Sequence, residues 1–222
     1  MAIVVFFVII HLAKYMGGVV KNKKDYCLHI QIKKRRFALI NTVVTMFKKE
    51  TSIQAILYIL DKLEGGRTDM HKICKILYFA DQRHLSLYGR TITRDDYIKM
   101  PYGPVPSKIY DIFKALCGES YFSDHIADIA EYLEIVNKIM LRAKQKCNTD
   151  YLSDSDIECL DYAVAKCKDL SFADLTNISH DFAWNNTQDG RKISPKDMLR
   201  EVGDTEEYIN FVTTKPIFSF AH

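Results

Sequence analysis

Three prolines within six residues constrain this chain more than any other feature. Pro101, Pro104 and Pro106 bracket Gly103. Proline fixes its own φ and carries no N–H, so the segment cannot continue a helix or pair as a central strand. Just before it lies a helical pattern. Met70, Ile73, Leu77 and Ala80 recur at spacings of three and four residues, and Ile76 and Phe79 widen the apolar stripe. Thr68 or Asp69 can cap its start, and Gly89 stops it. Met70–Pro106 therefore predicts a long amphipathic helix that hands over, through Asp95-Asp96-Tyr97, to a rigid proline-braced loop.

The rest of the body predicts short helices and one hairpin. Thr51 or Ser52 opens a helix with Ile53, Ile56, Leu57, Leu60 and Leu63 on one face, ended by Gly65-Gly66. Ser107–Leu116 is another, stopped by Gly118. Between Ile129 and Gln145 the period changes to two, with Asn137-Lys138 at the turn, which predicts a β-hairpin. Capping pairs then mark three helix starts: Ser153 with Asp156, Ser171 with Asp174, and Ser194-Pro195 with Asp197. The second of these should carry Leu175, Ile178 and Phe182 along its face. Asp204 with Glu207 predicts the cap of a last helix. The expected class is a compact, mostly α domain with a small antiparallel β-hairpin.

Charge divides the chain. Residues 1–45 hold eight basic side chains against Asp25 alone, so +7 of charge sits there, and the net +3 of the whole leaves −4 for residues 46–222. A mildly acidic body argues against a nucleic-acid footprint. The apolar run Ile3–Ile10 is too short to span a bilayer, and lysines follow it rather than precede it, against a signal peptide. The expectation is a dispensable basic and apolar extension over 1–45, with Met46 as the start of the folded body and no membrane partner; the alternative is a signal anchor. Six cysteines without a C-x-x-C pair predict neither disulfides nor a zinc site. Cys74, Cys117, Cys159 and Cys167 lie in apolar helical stretches and read as small buried hydrophobes in a reducing cytosol.

Few residues ask for chemistry. Asp81 and His84 share one side of the long helix, within reach of a common group. His180, Asp181 and Trp184 form a second polar–aromatic cluster. His and carboxylate are ordinary ligands for zinc or iron, but spacing alone does not make a ligand set. The reading adopted is that these side chains satisfy one another at the edge of the core, with no metal, no cofactor and no catalytic residue. There is no G-x-S-x-G, no motif-linked Cys–His pair and no phosphate loop. The proline loop reads either as a plain connector or as a low-entropy surface that docks on a partner.

Several of these stretches occur together in one known family. Lys75-Ile-Leu-Tyr-Phe-Ala-Asp81, His84-Leu85, Gly89, Ile92-Thr93, Tyr97 and Tyr102-Gly-Pro-Val-Pro106 are followed by Leu152-Ser153, Leu170-Ser171 and Ser179-His-Asp-Phe-Ala-Trp184. In this order they resemble the SocA-like antitoxin family, or Panacea domain, over roughly Thr51 to Val212. The resemblance implies a cytoplasmic bacterial-type antitoxin, associated with phage or prophage, and not an enzyme. Its partner would be a cognate toxin protein from an adjacent gene, neutralised by direct contact. One family member instead delivers its toxin to a protease, and the shared scaffold serves against unrelated toxins. Motif residues carried over as candidate toxin contacts are Tyr78, Asp81, His84, Tyr97, Tyr102, Gly103, Pro104, Val105, His180 and Trp184. Tyr97, Tyr102 and Trp184 would be exposed aromatic anchors, with Asp81 and His84 holding the loop from behind. The alternative is a small metal-dependent hydrolase using Asp81, His84 and His180.

Overall fold

In the computed structural model, residues 47–119 and 126–214 are described. The expectations for residues 1–45, including their dispensability, lie outside that range.

Helix α1 (Lys49–Lys62) leads through a 3-10 turn and strand β1 (Arg67–Asp69) into α2 (Met70–Tyr88). The ends of α2 are set locally. The Asp69 side chain accepts from the Lys72 N–H at 2.7 Å, and Gly89 closes the helix in the left-handed region at φ 68°. Its middle is not amphipathic as expected. Every residue from Ile73 to Gln82 is buried, among them Lys75, Asp81 and Gln82. The reason is tertiary, since α2 is packed on by several elements at once. Its main seam is with α5 (Asp154–Cys167), and strand β3 (Gly103–Pro106), α6 (Phe172–Ser179), α8 (Pro195–Glu201) and α1 also touch it. A central helix has no solvent face on which to place its polar residues.

The proline segment is a strand rather than a loop. Strand β2 (Tyr97–Met100) pairs antiparallel with β3, Met100 opposite Gly103 and Tyr97 opposite Pro106, around a turn at Pro101–Tyr102. The Ser107 N–H donates to the Asp96 carbonyl at 2.8 Å, so odd-numbered residues of β3 face β2. Pro104 and Pro106 fall at the alternate positions, where a missing donor costs no ladder bond. The far side of β2 is taken by the segment at 190–193, with Lys99 N donating to Arg191 O at 2.9 Å and Ile193 N to Tyr97 O at 2.8 Å. Helix α3 (Ser107–Leu116) follows.

The second sheet has the order β1-β5-β4, with β4 (Leu133–Val136) and β5 (Met140–Ala143) forming the hairpin expected from the sequence. Its turn places Asn137 and Lys138 at φ 54° and 67°. Strand β1 joins it through Arg67–Asp69 opposite Met140–Arg142, a pairing that the glycines before it concealed. Helix α4 (Ile126–Ala130) precedes β4.

The capping boxes at Ser153–Asp156 and Ser171–Asp174 form as expected, and Ser194 caps α8. Three local expectations fail. Helix α6 stops at Ser179, and Asp181 caps a separate turn, α7 (Phe182–Asn185). Ile178 and Phe182 are accordingly exposed rather than lining a core face. Thr205, not Asp204, caps α9 (Glu206–Thr213), its side chain accepting from the Tyr208 N–H. Cys74, Cys159 and Cys167 are buried, but Cys117 lies beyond the end of α3 and is only half-buried.

Candidate functional site

The site grows from the buried polar residues of α2. The Asp81 carboxylate receives four donors. Ile92 N and Thr93 N reach Oδ1 at 2.6 and 3.2 Å, and Thr93 Oγ1 and the Tyr97 hydroxyl reach Oδ2 at 2.5 and 2.9 Å. Burial pushes this carboxyl up, against the pull of its four donors. The chain leaving α2 is thereby fixed to the helix it has just left. Asp95 then takes Lys108 N and Ile109 N at 3.1 and 2.9 Å, capping α3 from a distance. His84 ties the preceding turn. Its Nδ1 donates to the Arg90 carbonyl at 2.7 Å, and its Nε2 lies 3.1 Å from Asp156 Oδ1. Burial raises the Asp156 carboxyl, but the adjacent His84 ring, the hydrogen bonds with Ser153 and the charge of Arg90 outweigh it and hold the group well below the usual range.

Beyond this junction the β2–β3 tip is held through its carbonyl groups. Trp184 Nε1 donates to Met100 O at 3.1 Å. His71 Nε2 donates to Tyr102 O at 3.1 Å, and Lys75 Nζ to Pro104 O at 3.0 Å. Strand alternation turns the Pro104 carbonyl away from β2 and toward α2, within reach of Lys75. Rings reinforce the clamp. His180 stacks on Trp184 at 3.6 Å with an interplanar angle of 8°, Lys99 sits 4.0 Å from the Trp184 centroid, and His71 stacks on Phe172 at 4.0 Å. Tyr102 leans edge-on against Phe172 and is 62% exposed. Gly103, at φ 100°, fits under the tip because it lacks a side chain. A Cβ there would collide with Ser179 Oγ and approach Lys75 Cε to 2.9 Å.

Because Tyr102 O can only accept, His71 carries its proton on Nε2, which leaves Nδ1 buried without a partner among the described residues. Burial, and then the neighbouring Lys75 charge, push His71 and His180 below the ordinary histidine value.

The expected site residues therefore separate into groups. Tyr102, Gly103, Pro104, His180 and Trp184 come together at the tip, with Val105 half-buried beside them. Tyr78 is joined to them through Asp181, to which its buried hydroxyl donates at 2.7 Å. Tyr97 is not an exposed anchor. It is 2% exposed, because its hydroxyl is committed to Asp81 and its ring packs edge-on against Tyr78. Asp81 and His84 do not share one group; each binds its own part of the 90–97 segment. The hydrolase alternative needs Asp81, His84 and His180 to converge, and they are turned to three different sets of partners. Among the described residues no three His, Cys, Asp or Glu side chains are grouped to hold a metal ion. No helix among them is long and apolar enough to cross a membrane.

The family model described as antitoxin SocA-like, Panacea domain, matches residues 73–185, about half of the chain. The chain belongs to the SocA-like antitoxin family. The matched span opens one turn into α2 and closes at the end of α7, so the Panacea domain contains both halves of the clamp except His71. It takes in all the motifs from Lys75 to Trp184 but is narrower than the expected extent of roughly Thr51 to Val212. Comparison with curated proteins and with solved structures finds no match. Membership in an antitoxin family implies a toxin partner and points away from an enzyme.

Four contributors to the site carry no mark in the sequence that singles them out. His71 lies in the first turn of α2, four residues before Lys75, a spacing that stacks the two on one face. Lys75 was quoted only as part of a motif. Nothing local marks Phe172 or Asp95 for their roles, since both act on segments far away in sequence.

Proposed function

We propose that this chain neutralises a cognate toxin by direct protein contact, and that the tip at Tyr102 carries the central part of that contact. The observation behind the proposal is an exposed tyrosine on backbone that is already immobilised, its own carbonyl and those beside it held by Trp184, His71 and Lys75. Interfaces draw most of their energy from a few aromatic or arginine anchors, and an anchor on ordered backbone binds without a further ordering cost. Phe172 packs edge-on against Tyr102 and widens the apolar surface; exposed Met100, whose carbonyl binds half-buried Trp184, lies on the same hairpin.

Blocking the toxin requires this contact alone, whereas delivery to a protease adds a second partner. The test is co-expression with the product of the neighbouring gene. Wild-type chain should restore growth, and Tyr102→Ala should fail to do so while accumulating to the same level. The half-life of the toxin in the same cells separates the two routes, since blocking leaves it unchanged and delivery shortens it.

A further inference from the structure

Lys75 presents no surface to solvent, and its ammonium donates to the Pro104 carbonyl. The titratable groups that act on it are His71, Cys74 and Asp69 from its own helix and cap, and His180 from the end of α6. The uncharged groups against it are Gly103 of β3 and, beside them, Ser179 of α6. Among the described residues none of these is a carboxylate in ion-pair contact with it. A buried cation without a counter-charge is unfavourable, and an apolar side chain of similar length is often neutral or stabilising in its place. The cost shows in its acidity, since burial pushes the Lys75 ammonium down to about 8. What the ammonium holds in return is the β3 end of the hairpin.

We propose that Lys75 is a positioning residue for partner binding, seating the tip through Pro104 so that Tyr102 is presented, at the expense of fold stability. This rests on the reading of the tip as the toxin-contacting surface. Gly103 is its complement, because a side chain there would displace Lys75 and Ser179 together.

Two trends of opposite sign follow. The unfolded chain keeps the Lys75 proton up to its ordinary value of 10.5, whereas the folded chain releases it near 8. Between these values the unfolded state binds more protons, so this group makes the fold more stable as pH rises. Over the same rise the amine loses its charge, its bond to Pro104 weakens, and the tip loosens.

The chain contains a single tryptophan, Trp184, bonded through Nε1 to Met100 at the tip, so its fluorescence reports seating. Full-length wild type, Lys75→Met and Tyr102→Ala would be followed by Trp emission from pH 6.5 to 10, by thermal melts, and by binding to the purified product of the neighbouring gene. Wild-type emission should shift with a midpoint near 8, and Lys75→Met should lack that transition. Lys75→Met should melt at the wild-type temperature or above, yet bind about tenfold more weakly or worse. Parallel loss of melting temperature and binding would make Lys75 a plain structural support. Unchanged binding would make it idle. Should Lys75→Met fail to fold, a flat wild-type emission profile through pH 8 would still overturn the proposal. If Tyr102→Ala binds fully while the emission transition is present, it is the contact surface that is misassigned and not the seating by Lys75.

Discussion

Asp81 Oδ2 and Thr93 Oγ1 lie 2.5 Å apart, completely buried, and join the middle of the central helix to the segment that leaves its end. Around this bond the same carboxylate gathers two backbone N–H groups and the Tyr97 hydroxyl. The direction of the polypeptide into the hairpin is set here, ahead of any contact made by the tip itself.

Replacing Asp81 by Asn puts an amide donor among four donors. At least two buried groups then lose their acceptor, and each costs about 1–3 kcal/mol. Urea unfolding of Asp81→Asn should show a loss of about 3 kcal/mol or more. A loss below about 1 kcal/mol would mean that the network rearranges freely.

Gly103→Val combines a positive φ with a collision against Ser179 and Lys75. Backbone strain alone is worth about 1–3 kcal/mol, and the collision adds to it. The variant should melt well below wild type and should shift Trp184 emission, because the tip cannot seat. A wild-type melt would show that β3 moves aside at little cost.

Acid should weaken the fold in two stages. His71 and His180 have folded values below the ordinary 6.5, so the unfolded chain takes up protons first, and stability falls as pH drops through that value. For Asp156 the folded value is depressed below the ordinary 3.8. Its contribution is present above that pH and is lost below it. Melts across pH 3 to 7.5 test this, and Asp156→Asn should remove the lower stage alone.

Legibility of the sequence followed the range of the interactions involved. Met70–Tyr88, its Asp69 cap and its Gly89 stop are written within a few residues of one another, as are the boxes at Ser153–Asp156 and Ser171–Asp174. The β4–β5 hairpin was visible because its period and turn are local too. Tyr97 was misjudged because its burial depends on Asp81, sixteen residues away. The prolines of β3 argued correctly against a central strand, yet they allow an edge strand when they fall on alternate positions. Most of the clamp was hidden for the same reason: His71 and Lys75 come from one helix and His180 and Trp184 from two others, and only packing brings them to one turn.

The central claim is that Tyr102 on its clamped tip carries the toxin contact. The direct measurement is the Kd of purified full-length chain for the neighbouring gene product by calorimetry, with wild type and Tyr102→Ala compared. Tyr102→Ala should bind more weakly by about 1–3 kcal/mol with an unchanged melting temperature. Equal affinity for the two proteins would contradict the claim and place the contact on another face of the domain.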